Sequence, residues 1–243
     1  MSGTLERLTN VAIIIACVAV AALAMQRLGQ QPTQNQRTAD SAIANVQSEN
    51  IVIPLIASAS AGPTDSKVVL LEFSDFECPY CGRYARDVFP RIRQTFVDKG
   101  LITYVFKNLP LPIHPMAMNA SMAAECALEQ NQYWQMHDRL FTQQKQFETP
   151  QLLKYATDLR LNTDTFSVCL DSAVKERIHG QMREALRLKV TVTPSFFVGV
   201  RDGDTVKALK KIIGAQPYEV FEQVLNEVLK SNGQGNVRRQ VGS

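Results

Sequence analysis

The pattern of apolar positions predicts a strand–helix–strand unit in the middle of the chain. Residues 68–74 are mostly apolar, which is typical of a strand buried on both faces. Residues 78–99 follow as a predicted helix that ends at Gly100, and residues 101–107 form a second strand. This order predicts a βαβ unit with parallel strands and a right-handed crossover.

A helical pattern replaces the strand pattern after this unit. From Pro115 to about Leu188 the chain predicts successive helices with hardly any strand signal. Pro150 suits a first helical turn, and Thr163 and Ser172 suit N-caps. The sequence therefore predicts a helical block between two groups of strands.

The strand pattern returns beyond this block. Residues 195–200 predict a strand, Asp202 and Gly203 a turn, and residues 205–213 the partner strand of a hairpin. Residues 217–230 predict an amphipathic helix. Near the start of the folded region, residues 51–55 predict an edge strand that is followed by a loop.

The N-terminal segment is the most hydrophobic part of the chain. Residues 11–25 are unbroken apolar, and no charged residue occurs between Arg7 and Arg27. This length favours an uncleaved membrane anchor over residues 1–27, and a cleaved secretory signal is the alternative. Either interpretation places the rest of the chain outside the cytoplasm.

Polar composition predicts two segments without fixed structure. Residues 28–50 are rich in Gln, Asn, Thr and Ser, which indicates a flexible tether, and residues 231–243 predict a disordered tail. The 243 residues, of which 45% are hydrophobic, suit one globular domain with these additions. A net charge of +3 gives no reason to expect nucleic acid as a partner.

The strongest chemical signal is the pair Cys78 and Cys81 at the predicted helix start. Thiols at this spacing can close a small disulfide ring, and the helix N-terminus stabilises a thiolate at Cys78. The thiolate is the species that attacks disulfides, so the pair favours thiol–disulfide exchange. The alternatives are an inert disulfide or half of a zinc site, but zinc needs four ligands, and the sequence offers neither a second such cysteine pair nor closely spaced histidines. We therefore predict no metal and no cofactor.

Four segments resemble the DsbA-like thiol–disulfide oxidoreductases. They are residues 72–81 (EFSDFECPYC), 123–127 (AAECA), 192–198 (VTPSFFV) and 214–219 (GAQPYE). The resemblance covers most of residues 51–230.

This resemblance implies an α/β thioredoxin fold with an inserted all-helical domain. The apolar N-terminal segment, which the resemblance does not cover, adds a transmembrane or signal helix before it. The expected thioredoxin-fold domain comprises residues 51–112 and 189–230. The helical insertion is expected over residues 113–188.

The resemblance also implies roles for individual residues. Cys78 is expected to be the nucleophile and the more exposed thiol, with Cys81 as the resolving thiol. Glu72 would be a buried acid that relays a proton to or from Cys81; a solvent-facing glutamate is the alternative. Thr193 and Pro194 would form a cis-proline loop that packs against the cysteines and pairs with substrate.

The residues between and beside the cysteines bear on partner contact. Pro79 and Tyr80 are expected to tune the thiolate and, with Thr193, to bind client proteins. A Cys-Pro-Tyr-Cys sequence also occurs in glutaredoxins, and Thr193 differs from the valine common in the strongest oxidases. The direction of electron flow therefore stays open at this stage.

Other polar and sulfur-containing residues receive simpler interpretations. Cys126 and Cys169 are expected to form a structural disulfide, with two buried free thiols as the alternative. Asp75 and Glu77 are expected to be exposed turn acids. His114 is expected to be a cap or loop residue.

Together these features predict a cell-envelope protein, held at the inner membrane by its N-terminal helix, with a periplasmic or extracytoplasmic domain. It would oxidise client thiols and be recycled by a membrane or soluble redox partner. Oxidation is favoured because the tether has no room for the dimerisation domain of isomerases. A reductase or isomerase, and an anchored chaperone-like binding module, are the alternatives; the apolar N-terminus disfavours a cytosolic glutaredoxin-like enzyme.

Overall fold

A computed structural model describes residues 45–55, 58–170 and 174–233. The predicted anchor, residues 28–44 of the predicted tether, Ser172 and the tail beyond residue 233 lie outside these described residues. Within the described ranges, no helix has the length and apolar character needed to cross a bilayer.

Along the described chain three strands come first, most helices lie between the fourth and fifth strands, and the last two strands are followed by a final helix. The strands are β1 (Val46–Pro54), β2 (Ala59–Ala61), β3 (Val68–Ser74), β4 (Ile102–Asn108), β5 (Ser195–Asp202) and β6 (Thr205–Ile213). The helices are α1 (Pro79–Asp87), α2 (Phe89–Ile92), α3 (Ala117–Leu128), α4 (Tyr133–Thr142), α5 (Thr149–Asp158), α6 (Thr163–Leu170), α7 (Val174–Arg187) and α8 (Tyr218–Ser231). A π-helical turn (Arg93–Val97) follows α2.

The strands form one sheet in the order β1-β6-β5-β3-β4-β2. β3 and β4 pair in parallel, as the βαβ pattern predicted, and the other neighbours are antiparallel. The mixed α/β fold is thus confirmed. All residues of β3 are buried, because strands and helices cover both its edges and its faces.

Each face of the sheet has its own apolar core. Leu70, Phe106 and Phe196 belong to the core that also contains Cys81, whereas Leu71 and Phe197 belong to the core on the opposite face. Because strand side chains alternate between faces, Glu72 lies on the same face as Leu70. The acid therefore points toward the helix that carries the cysteines.

The single helix predicted over residues 78–99 is wrong, because the helix is interrupted at Val88. Pro90 explains the break: it has no N–H for the carbonyl of Arg86, and its ring crowds that carbonyl. The helical stretch does end at Gly100, whose φ of +70° lies in the left-handed region that favours glycine.

The edge strand predicted over residues 51–55 is present as part of β1, but β1 and β2 also occupy segments that the sequence predicted to be irregular. β1 begins at Val46, inside the predicted tether, and pairs with β6 from Val46 opposite Ile212 to Pro54 opposite Thr205. β2 lies in the predicted loop and pairs with β4. In both cases a neighbouring strand supplies the backbone hydrogen bonds that these weakly apolar segments could not secure alone.

The helices between β4 and β5 form the second part of the described structure. A disulfide joins Cys126 in α3 to Cys169 in α6, with 5.7 Å between the Cα atoms. The predicted N-cap Thr163 is wrong: Asn162 caps α6, and its Oδ1 accepts a 2.8 Å hydrogen bond from the Thr165 N–H.

Candidate active site

Cys78 is the residue immediately before the first helical position of α1. Its backbone is extended (φ −68°, ψ 123°), and Pro79 occupies the start of the helix, where its missing N–H costs nothing. The Gly82 N–H donates to the Cys78 carbonyl over 3.1 Å. The first turn of α1 contains no acidic residue, so no carboxylate of the helix itself offsets the positive end of the helix dipole at Cys78.

Both active-site cysteines are free thiols, and they differ slightly in exposure. Cys78 retains 4% of its surface and Cys81 none, so the greater exposure expected for Cys78 is confined to a small opening. The Cys78 Sγ lies 3.5 Å from the Thr193 carbonyl oxygen. Thr193 and Pro194 are joined by a cis peptide bond immediately before β5. The 3.5 Å contact places this loop directly against Cys78.

The two sulfurs have opposite electrostatic environments. A hydrogen bond from the Cys81 thiol lowers the pKa of Cys78 to about 5; burial opposes this change, and the backbone N–H groups of Cys81 and Tyr80 assist it. Burial raises the pKa of Cys81 well above its ordinary value, as does the neighbouring charge of Cys78. At neutral pH the pair is therefore one thiolate and one thiol.

Glu72 lies beneath the cysteines on β3 and is 1% exposed, so the solvent-facing alternative is wrong. Burial raises its pKa to about 7, although the hydrogen bond from Tyr104 acts in the opposite direction. Tyr104 on β4 donates its hydroxyl to the Glu72 carboxylate. A carboxyl group with this pKa can hold or release a proton near neutral pH.

Asp75 is fully buried, so its prediction as an exposed turn acid is wrong. Its carboxylate accepts the Glu77 N–H (2.8 Å) and the Leu111 N–H (2.7 Å), and it pairs with His114 Nδ1 at 2.8 Å. Glu77 accepts the Met116 N–H over 2.8 Å. Through these hydrogen bonds the two acids hold the segment after β4 against the turn that precedes Cys78.

Gln144, between α4 and α5, is a contact that the sequence analysis missed. Its side-chain amide donates to the Phe76 carbonyl (2.8 Å) and the Cys78 carbonyl (2.9 Å). The one sequence signal was Gly82, since a glycine inside a helix can mark close approach of another group. A Cβ at Gly82 would lie 2.2 Å from Gln144 Oε1.

The surface next to Cys78 is partly apolar. Pro79 is exposed, Tyr80 is 57% exposed and Val192 is 47% exposed, whereas Thr193 is 7% exposed. The Arg83 guanidinium lies 5.2 Å from the centre of the Tyr80 ring. Within the described ranges, no cluster of His, Cys, Asp and Glu side chains could hold a metal ion. The arrangement can therefore perform chemistry through its two sulfurs and the carboxyl group beneath them.

Comparison with known proteins gives one family and a consistent fold. The family model for thioredoxin matches residues 56–215. The structure is similar to alpha-DsbA1 of Wolbachia pipientis, with a TM-score of 0.64 and 23% identity, over 74% of this chain and 94% of that one. It is also similar to oxidised BdbD of Bacillus subtilis, with a TM-score of 0.63 and 23% identity, over 76% and 99% of the two chains.

A curated relative is much longer than this chain. The Na⁺/H⁺ antiporter NhaA 3 of Salinispora tropica is 40% identical over 142 residues, which are 58% of this chain and 21% of the antiporter. The match therefore concerns about a fifth of that protein.

Proposed function

Because this chain belongs to the thioredoxin family, we propose that it is a protein thiol–disulfide oxidoreductase, with Cys78 as nucleophile and Cys81 as resolving thiol. The observation that carries this proposal is the pair of free thiols at the start of α1, whose surroundings shift the pKa of Cys78 down to about 5 and that of Cys81 upward. The DsbA-type architecture supports it, with the Thr193–Pro194 loop against Cys78.

We further propose that the net reaction is oxidation of client thiols. A thiolate held at low pKa stabilises the reduced pair, and a pair whose reduced form is stabilised accepts electrons readily. At pH 7 a thiol of pKa about 5 is ionised in roughly a hundredfold excess. The same property makes Cys78 a good leaving group when the client disulfide forms.

The reaction proceeds through a mixed disulfide. A client thiolate attacks Cys78 Sγ of the oxidised pair; a bond forms between these sulfurs, and the Cys78–Cys81 bond breaks, with its electron pair leaving on Cys81. A second client thiolate then attacks the client sulfur of the mixed disulfide, and Cys78 leaves as a thiolate. The client loses two electrons, which the reduced pair holds until a redox partner removes them.

Glu72 supplies the proton that this sequence requires. The departing Cys81 sulfur is buried, where its thiolate is strongly disfavoured, so it must take up a proton as the bond breaks. Glu72 has a pKa of about 7, and its charge also raises the pKa of Cys81, so we assign it as the buried donor. On reoxidation Glu72 accepts the proton again.

Two features support a location outside the cytoplasm. There the chain would act on client proteins and be recycled by a redox partner. The Cys126–Cys169 disulfide is of a kind that persists in oxidising compartments. The apolar segment over residues 11–25 suits an anchor in the inner membrane or a secretory signal. Pro79, Tyr80 and Thr193 border the opening at Cys78 and would contact the client.

The test is the reduction potential of the Cys78–Cys81 pair in the full chain, equilibrated in glutathione buffers. Alkylation followed by mass spectrometry of the peptide that carries both residues separates this pair from the other cysteines. A potential around −120 mV would support a disulfide donor, whereas one near −270 mV would identify a reductase and contradict the proposed direction.

A further inference from the structure

We propose that Gln144 is a positioning residue for Cys78, which fixes the start of α1 from the segment between α4 and α5. The inference rests on the proposed function, because it names a group that tunes the same nucleophile. Gln144 donates over 2.8 Å to the Phe76 carbonyl and over 2.9 Å to the Cys78 carbonyl. Both acceptors belong to the backbone around the nucleophile.

These two carbonyls lie at the turn that delivers the chain into α1. The Cys78 N–H closes the turn onto the Asp75 carbonyl at 3.1 Å, and the Cys78 carbonyl accepts the first helical bond from Gly82, also at 3.1 Å. A donor that bridges the Phe76 and Cys78 carbonyls restrains both sides of Cys78. The restraint comes from a residue 66 positions further along the chain, so it joins two distant parts of the fold.

The surroundings of Gln144 determine the orientation of its amide group. Arg86 Nη1 donates to the Phe141 carbonyl over 3.0 Å and lies 3.5 Å from Gln144 Oε1. The opposite orientation would place the amide oxygen against two carbonyl oxygens and the amide nitrogen against a guanidinium. Gly82 leaves the space that the side chain occupies, since a Cβ there would be 2.2 Å from Oε1.

The restraint acts on the donors that the thiolate needs. The backbone N–H groups of Tyr80 and Cys81 stabilise ionised Cys78, and they do so only while the first turn of α1 holds its geometry. Without Gln144 the turn samples more conformations, these donors are aligned for less of the time, and the pKa of Cys78 rises. The effect on the sulfur is indirect, which makes Gln144 a positioning residue.

The experiment is the pH dependence of Cys78 alkylation by iodoacetamide in the reduced full chain, followed by mass spectrometry. We expect Gln144→Ala to react about tenfold more slowly than the unaltered protein at a pH below the midpoint, which corresponds to a rise in pKa of about one. The matched control is Gln146→Ala, in the same segment with an exposed side chain. This control should titrate like the unaltered protein.

Gly82→Ala provides an independent second variant. Alanine favours the helix, so loss of helix stability cannot explain a change, but its Cβ displaces the Gln144 side chain and also Arg86 Nη1, which lies 2.8 Å from that position and orients the Gln144 amide. We expect the same slowing as in Gln144→Ala, and no further slowing when both changes are combined. Additive effects, or a Gln144→Ala titration equal to that of Gln146→Ala, would overturn the proposal.

These outcomes are separable from the direction of electron flow. Alkylation measures ionisation of Cys78 whether the chain oxidises or reduces its clients. A reductase-like potential with a shifted Gln144→Ala titration would therefore reject the proposed direction and retain the role of Gln144.

Discussion

The thiols of Cys78 and Cys81 lie in the same helix turn, but the fold changes their pKa values in opposite directions. Cys78 gains donors from the Cys81 thiol and from backbone N–H groups, which lower its pKa, whereas Cys81 has no exposed surface and burial raises its pKa. This difference is what the proposed roles require, with Cys78 as both the attacking and the leaving sulfur. Cys81 is kept as a thiol until the chemistry requires it.

Substitution of one cysteine at a time distinguishes an enzyme from a binding module. With a client that carries a disulfide, the Cys78 thiolate of Cys81→Ser should attack one client sulfur, displace the other as a thiolate and accumulate as a mixed disulfide, because no Cys81 thiol is present to release the client. Cys78→Ser should lose exchange down to the uncatalysed background. Non-reducing gels and a fluorescent dithiol peptide report these outcomes. If Cys78→Ser turned over the peptide at the normal rate, Cys78 would not be the nucleophile.

The buried carboxyl group of Glu72 gives the oxidised protein a specific dependence on pH. Its pKa is 4.5 in the unfolded chain and about 7 in the folded protein, so the folded state binds more protons between these values and stability falls as pH rises through them. Glu72→Gln cannot ionise, so its stability does not fall in this way. Between pH 4 and pH 8 we expect the free energy of unfolding of the variant to rise by about 3 kcal/mol relative to that of the unaltered protein.

This difference is measured by urea unfolding of both oxidised proteins across that range. Oxidation prevents Cys78 and Cys81 from titrating, so the comparison isolates the carboxyl group. If the free energy of unfolding of the two proteins changed with pH in parallel, the pKa of Glu72 would be the same in the folded and unfolded states. The proposed proton relay would then be wrong.

Among the elements, the segment after β4 is fastened to the active-site turn by buried and half-buried acids. Asp75→Ala removes an acceptor shared by the N–H groups of Glu77 and Leu111 and by His114. We expect a loss of about 3 kcal/mol in the free energy of unfolding, since buried donors are left unpaired. Glu77→Ala, which removes one acceptor from a half-buried position, should cost only about 1 kcal/mol.

Chemical denaturation at constant pH measures both variants. Equal losses would mean that burial of Asp75 does not strengthen its contacts.

Local pattern predicted the elements that carry the cysteines, because strand and helix periodicity are local properties. The βαβ unit, the hairpin and the placement of Cys78 at a helix start all follow from such patterns. Burial of Asp75 and the contact of Gln144 with Cys78 depend on partners 36 and 66 residues away, which no local pattern encodes. Pro90 is a sequence signal for the break at Val88, but the helical pattern on both sides of it led to the prediction of a single helix.

The disulfide between α3 and α6 is a stabilising cross-link within the helical part. Replacing Cys126 and Cys169 together by serine opens a loop with a sequence separation of 43. In the chain-entropy model this costs about 4 kcal/mol of stability, because the unfolded chain regains that freedom. Thermal and urea unfolding should show the loss, with the Cys78–Cys81 potential unchanged. An unaltered unfolding midpoint would contradict a structural role for the bridge.

For the whole molecule, the redox state of one cysteine pair must be coupled to global stability. Folding and oxidation of the Cys78–Cys81 pair form a thermodynamic cycle. If the pair oxidises clients, the folded protein must therefore be more stable toward unfolding when the pair is reduced than when it is oxidised. The low pKa of Cys78 supplies this difference, since the thiolate is stabilised only in the folded protein. We therefore expect the reduced full chain to unfold at a higher urea concentration than the oxidised chain at pH 7.

The difference in stability between the reduced and oxidised chains should depend on pH in a way that shows whether the Cys78 thiolate causes it. The pKa of Cys78 is 9.0 when unfolded and about 5 when folded, so its contribution to the reduced protein is fully present above pH 9 and disappears as pH falls to 5. The gap between reduced and oxidised midpoints should accordingly narrow from pH 8 to pH 5. Cys78→Ser, compared with and without reductant, controls for any effect of reduction on Cys126 and Cys169. An oxidised chain more stable than the reduced one at pH 7 would mean that the fold favours the disulfide, as a reductase requires.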